Sequence, residues 1–147
     1  MDNKFILLEL YKDEWNTCRN HQSMRGTMTA MFIAIHTALL TFIFSDNSKG
    51  SMLEIAAIGC LLSLFGVLFS KKHHERFSYH LNRARAYKNE LDAILPDISL
   101  TYITQIADKK TQSKHSLMTS IKLNRLWNIV HWVALFSYVF IIVGDFT

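Results

Sequence analysis

Three stretches of this chain carry almost no formal charge, although charged residues make up 19% of it. Nothing ionic falls between Gly26 and Phe44 or between Leu126 and Gly144, and Glu54 alone interrupts the run from Ser51 to Ser70. A soluble helix or strand distributes its charges around one face with a period of 3.6 or 2. Segregation along the chain marks segments built for hydrocarbon instead. A helix rises about 1.5 Å per residue and a bilayer core is about 30 Å thick, so roughly 17 to 25 apolar residues cross it. Thr27–Phe44 (TMTAMFIAIHTALLTFIF), Met52–Phe69 (MLEIAAIGCLLSLFGVLF, closed by Ser70) and Leu126–Gly144 (LWNIVHWVALFSYVFIIVG) meet that requirement. A single Pro and five Gly leave too little turn chemistry for an all-β protein. The expected fold is all-α: one integral membrane helical bundle of three transmembrane helices with cytosolic helical extensions.

The first span follows a polar, charge-balanced stretch of 26 residues and no small-residue cleavage site succeeds it, so it reads as a retained span rather than a signal peptide. Lys and Arg set the orientation. Lys4, Lys12, Arg19 and Arg25 precede the first span, the hairpin at 45–51 holds only Lys49, and the other eleven lie between Lys71 and Arg125. The expectation is a cytosolic N-terminal helix at 1–26, spans at 27–44 and 52–70 joined outside, a cytosolic helical region at 71–125, a span at 126–144 and an external C-terminus. Lys71, Lys72, Lys122 and Arg125 abut the membrane, and Trp127 and Trp132 suit its interfacial aromatic belt. The formal charge of +4 is therefore topological, and no nucleic-acid-binding pattern accompanies it.

In the polar regions, Leu8, Tyr11, Trp15 and Cys18 recur at helical spacing, as do Phe77, Leu81, Ala84, Tyr87, Leu91 and Ile94. The short hairpin makes the first two spans antiparallel neighbours, so these stripes are expected to bury each other, with Pro96 ending the second helix. Ile98–Ala107 reads as a short amphipathic helix and 108–116 (DKKTQSKHS) as a polar loop. A last helix is expected to start near Ser116 and run unbroken into the third span.

Small residues line two faces: Ala56, Gly59, Ser63, Gly66 and Ser70 on the second span, and Ala30, Ala34, Thr37 and Thr41 on the first. Such faces permit close backbone approach in lipid. Packing within the hairpin is the expected use, and a subunit interface or pore wall the alternative. Ionisable and amide groups inside spans are costly and are functional candidates by default. His36 sits at mid-span, where it is either a functional group facing protein or water or a neutral imidazole bonded to a neighbouring helix. Glu54 marks a pore mouth or the headgroup level. Asn124, Asn128 and His131 share a face at i, i+4, i+7, which suits a hydrated vestibule or a bond to another helix. Cys18 and Cys60 read as small packing residues. His73 and His80 lack two further zinc ligands, so neither a metal nor a cofactor is expected. No nucleophile–base pair, phosphate loop or carboxylate pair is present, and the reading is non-enzymatic.

The run LLELYKDEWNTCRNHQSMRGTMTAMFIAIHTALLTF (7–42) resembles the opening of a group of small bacterial membrane proteins that includes the RipA-type octameric proteins. HLNRARAYKNELDAILPD (80–97) resembles the Arg/Ala/Tyr/Leu-rich helix that follows the two-span hairpin of the related SLATT-type effectors. The resemblance covers residues 7 to 97 and leaves the third span outside it. It implies a homo-oligomeric bacterial inner-membrane protein that forms pores in antiphage defence when a nucleotide-sensing or other soluble partner triggers it. It carries over no catalytic residue.

Overall fold

A computed structural model of the protein describes residues 3–45, 51–95 and 98–145, all of them in helices or short connections. The helices are α1 (Asn3–Ile43), α2 (Met52–Ile94), α3 (Leu100–Lys114), α4 (Ser116–Ser120) and α5 (Leu123–Asp145). The fold is all-α, and α1, α2 and α5 are long and apolar enough to cross a membrane. Both α1 and α2 continue from an apolar window into a polar extension without a break. The hairpin residues 46–50 and Pro96 lie outside the described residues.

Contacts divide the chain into two compact units. An apolar unit comprises Ser23–His73 and Leu123–Thr147, and a polar unit comprises Met1–Gln22 and His74–Lys122. The three boundaries fall within four residues of the points where the charge pattern changes.

In the polar unit α1 and α2 run antiparallel, but their contact is not the apolar zipper expected from the stripes. Leu8 and Trp15 stay 37% exposed, Tyr11 is half-buried, and the residues α1 buries are Cys18 and the carboxylate of Glu14. Glu14 Oε2 meets His80 Nδ1 at 2.6 Å and its Oε1 forms an ion pair with Arg83 Nε at 3.1 Å, while His21 stacks on His80. The Cys18 thiol donates to the Phe77 carbonyl at 3.7 Å, and burial, aided by the nearby Glu14, pushes its pKa up. It is a protonated packing group. On α2, Ala84 and Leu91 are buried, and Phe77, Leu81 and Tyr87 are half-buried. An ion cluster thus sits where hydrophobic spacing alone pointed to Tyr11 and Trp15.

Residues 108–116 are not a loop. The α3 helix runs on to Lys114, breaks at His115, and resumes as α4. Lys, Thr, Gln and Ser lack an apolar stripe but do not oppose a helix, and no Gly or Pro occurs between Ile98 and Val143 to stop one. The last helix does not run unbroken from Ser116 either: α4 ends at Ser120, Ile121 is extended, and α5 begins at Leu123.

Side chains tie down the start of α3. Ser99 accepts from the Tyr102 amide at 3.1 Å, and the Asp92 carboxylate accepts from the Leu100 and Thr101 amides at 2.6 and 2.9 Å. These are donors that the helix cannot itself satisfy. Lys88 Nζ donates to Thr104 Oγ1 at 2.6 Å one turn further on.

Hydrogen bonds from Thr101, and then from the Leu100 amide and the charge of Lys88, hold the Asp92 carboxyl below the usual carboxylate range. A depressed acid stabilises the fold above its unfolded pKa of about 3.9 and loses that contribution as pH falls through the lower folded value. Protection of the Leu100 and Thr101 amides, taken relative to their intrinsic exchange rates, is therefore expected to persist at neutral pH, to fall away below about pH 4, and to be lost at neutral pH in Asp92→Asn. Protection retained in Asp92→Asn would contradict this account of α3. Replacing Glu14 with Ala strands His80 and Arg83 and is expected to cost about 1–3 kcal/mol, read from chemical denaturation of the purified protein.

Candidate functional site

The apolar unit is organised by what α5 presents to the other two helices. Two glycines of α2 lie one heptad apart and receive two rings of α5 with the same separation. A Cβ on Gly59 would lie 2.4 Å from the Tyr138 ring, and one on Gly66 would lie 2.4 Å from the His131 ring. Both rings therefore rest on bare backbone. The pairing of 59 with 138 and 66 with 131 makes α5 antiparallel to α2.

Contacts with α1 run the other way. Phe32 meets His131 edge-on at 5.3 Å, and His36 meets Tyr138. So α5 is parallel to α1, and the three helices alternate in direction. Ile43, Ala56, Tyr138 and Ile141 form the buried apolar core at one end.

Sequence spacing assigned the small residues of α2 to the hairpin. The structure gives Gly59 and Gly66 to α5 instead, and all of Ala56, Gly59, Ser63, Gly66 and Ser70 are buried. On α1 the expected face is not the inner one. Ala30, Ala34, Thr37 and Thr41 are exposed, whereas Arg25, Thr29, Phe32, His36 and Ile43 are buried. A shift of one residue turns a helix face by about 100°. Once a third helix fills the wedge beside the hairpin, α1 presents it with Phe32, which meets the His131 ring edge-on, and His36, which bonds to Tyr138. The Thr37 and Thr41 hydroxyls donate to the carbonyls of Ile33 and Thr37 at 2.8 Å, a local bond that lets them face outward. Glu54 is exposed in the first turn of α2, where the helix dipole favours an anion.

A polar column runs through this unit. His36 Nδ1 lies 3.1 Å from the Tyr138 hydroxyl, which also reaches the His36 carbonyl at 3.3 Å. Both contacts are satisfied at once when Nδ1–H donates to the tyrosine oxygen and the hydroxyl donates to the carbonyl. In that tautomer Nε2 is a bare acceptor, and it has no partner. Phe32 lies between His36, on which it stacks, and His131. Toward the start of α5, Asn124, Asn128 and Trp127 follow, with Trp127 beside Gly26.

Buried polar atoms without a partner, among the described residues, are Arg25 Nε, His36 Nε2, Ser70 Oγ, Asn124 Oδ1, Trp127 Nε1, Asn128 Oδ1 and His131 Nδ1. All seven belong to the apolar unit. Five come from the residues that flank or open its spans, and His36 and His131 lie deeper. Burial lowers the pKa of the Arg25 guanidinium, and burial with Arg25 nearby lowers that of His73. Asn124 to Tyr138 covers about 20 Å of helix axis, most of a bilayer core.

The column joins His36, Asn124, Asn128 and His131, all singled out by sequence, and excludes Thr37, Thr41 and Glu54. Sequence reasoning missed Arg25, taken as a topology signal, and Trp127, taken as a belt residue. It also missed Tyr138, which stands one heptad after His131 and so continues the ladder. Among the described residues no three His, Cys, Asp or Glu side chains come together to hold a metal.

Placing Leu at Gly59 or Gly66 is expected to drive α5 off α2, with a cost of about 1–3 kcal/mol or more from overpacking. The same change at Ala30, on the exposed face, is expected to leave monomer stability within about 0.5 kcal/mol. Thermal unfolding in detergent measures both, and equal losses at the two faces would contradict the assignment. Comparison of the chain with protein-family models, curated proteins and solved structures returns no match.

Proposed function

We propose that the protein is a homo-oligomeric pore-forming effector of the bacterial inner membrane, acting in antiphage defence when a soluble partner triggers it. The observation that carries this reading is the column of unpartnered buried polar atoms within three apolar helices. Polar groups at that depth are expensive, and a plain anchor would be better served by Leu and Val. Within one copy the inner faces are filled by rings seated on glycine, so conduction calls for several copies. The outward face of Ala30, Ala34, Thr37 and Thr41 gives copies a surface for close backbone approach. In this reading the N-terminus and the polar unit are cytosolic and the C-terminus external, as the Lys and Arg distribution favours. The polar unit receives the trigger. The defence role comes from the resemblance of residues 7–97 to RipA-type and SLATT-type proteins.

Induced expression in cells carrying a voltage-sensitive dye tests the proposal. The triggered wild-type protein is expected to depolarise the membrane, and His131→Leu and His36→Leu to reduce the response at least about tenfold at equal membrane abundance. No depolarisation, with or without the neighbouring genes, sinks it, as does a strictly monomeric species by native mass measurement.

A second reading, a non-conducting scaffold, is favoured by a cleft of about 280 Å³ in the polar unit. It is lined by Tyr11, Trp15, Leu81, Arg85, Lys88, Thr104 and Asp108, a mixed surface suited to a soluble partner. In that case His36 and Asn128 tolerate Leu, and changes in the cleft abolish activity.

A further inference from the structure

Five of the seven unpartnered buried atoms gather at one level of the apolar unit, where α1 enters its apolar window, α2 leaves its own and α5 begins. The seating of His131 on Gly66 fixes this level. One turn along the same two faces, Ser70 on α2 comes opposite Trp127 on α5, and Asn124 and Asn128 flank Trp127. The third wall is α1, whose Gly26 lies within 3.8 Å of where a Cβ would meet the Trp127 ring, with Arg25 beside it. Two of these side chains are almost sealed, Arg25 at 4% and Ser70 at 1% exposure.

The cluster is short of an acceptor and of a negative charge. Arg25 Nε, Ser70 Oγ and Trp127 Nε1 are donors with nothing to receive their hydrogens. Ser63, Thr37 and Thr41 give their hydroxyls to carbonyls one turn back, and Ser70 does not. The Asn124 and Asn128 carboxamides are open as well, and turning them over offers Nδ2–H in place of Oδ1. Among the described residues Arg25 has no carboxylate partner, and the acids of its unit, Glu54 and Asp145, stand at the opposite ends of α2 and α5. Lys71, Lys72 and Arg125 add positive charge at the near end, as do the first amides and the dipole of α5. Water can receive the hydrogens of a buried guanidinium but cannot balance its charge.

We infer that this layer is a binding site for a phosphate-type oxyanion, supplied either by a phospholipid headgroup or by free phosphate. The planar fork of Arg25 suits two oxygens of such a group, and Ser70 and Trp127 add a donor each. The site lies wholly within the apolar unit, at the end of its apolar windows, and does not depend on a pore.

Thermal unfolding of the delipidated full-length protein in maltoside detergent tests it, with inorganic phosphate in one titration and a short-chain phosphatidylglycerol in another. A saturable rise in Tm is expected. A rise with inorganic phosphate identifies the free anion as sufficient. A rise with phosphatidylglycerol alone, with one lipid retained per copy in native mass measurement, identifies the headgroup. Arg25→Gln is expected to weaken the binding at least about tenfold, and the pair Lys71→Gln, Lys72→Gln by less than about threefold. No rise with either ligand overturns the inference and leaves these groups to water. Equal weakening by the two variants also overturns it and assigns the effect to surface charge. Should Arg25→Gln fail to fold, Trp127→Phe takes its place, since it keeps an aromatic ring beside Gly26 and removes one donor. It is expected to weaken binding about fivefold, and an unchanged affinity in that variant overturns the inference.

Discussion

Two aromatic side chains resting on bare backbone hold the apolar unit together. Lipid tails are as apolar as leucine, so helices inside a bilayer gain little by hiding hydrophobic surface from each other. What remains is close contact, and contact is closest where one helix offers no side chain and the other offers a flat ring. Tyr138 on Gly59 and His131 on Gly66 supply it twice, one heptad apart, and this fixes both the separation of α2 and α5 and their register. The rest of the unit follows. With Tyr138 placed, His36 has a hydroxyl to bond, and with His131 placed, Phe32 has a ring to meet edge-on. The face that α1 turns inward is thereby chosen.

The polar unit solves a different problem with different means. Here water is available, and a buried carboxylate flanked by His80 and Arg83 aligns α1 with α2. Directional pairs of this kind specify alignment more sharply than they stabilise, since the desolvation of Glu14 offsets much of the attraction. The same economy governs α3, which buries nothing and is fastened at its start by Asp92 and Ser99. Long helices carry the architecture in both units, and single polar residues set how neighbours meet.

Much of this is legible in the sequence. The three apolar helices follow from where the charges are missing, and the antiparallel relation of α1 and α2 from a hairpin too short for anything else. The inner faces were harder to read. Ala30, Ala34, Thr37 and Thr41 form as good a small-residue stripe as the one on α2, and nothing in a linear sequence says that a third helix will claim the wedge and turn α1 by one residue. Tyr138 was hidden because a tyrosine in an apolar run reads as one more hydrophobic residue, and only its seven-residue step from His131 puts it on the face of the ladder. Residues 108–116 misled through composition, since lysine and glutamine without an apolar period still make a helix when no glycine or proline stops them. Half of the polar ladder was visible as Asn124, Asn128 and His131, because its period is local; its continuation to His36 required a partner 102 residues away.

The ring-on-glycine contacts also constrain how this protein can change over evolutionary time. Neither member of a pair can vary alone: a larger residue at 59 or 66 collides with its ring, and a smaller one at 138 or 131 leaves a hole over the glycine where the ring stood. Acceptable drift must come as a coordinated exchange, a side chain gained on one helix and shed on the other. Any protein that keeps these two contacts is thus expected to match positions 59 with 138 and 66 with 131 as pairs, however freely the surrounding apolar residues are exchanged for one another.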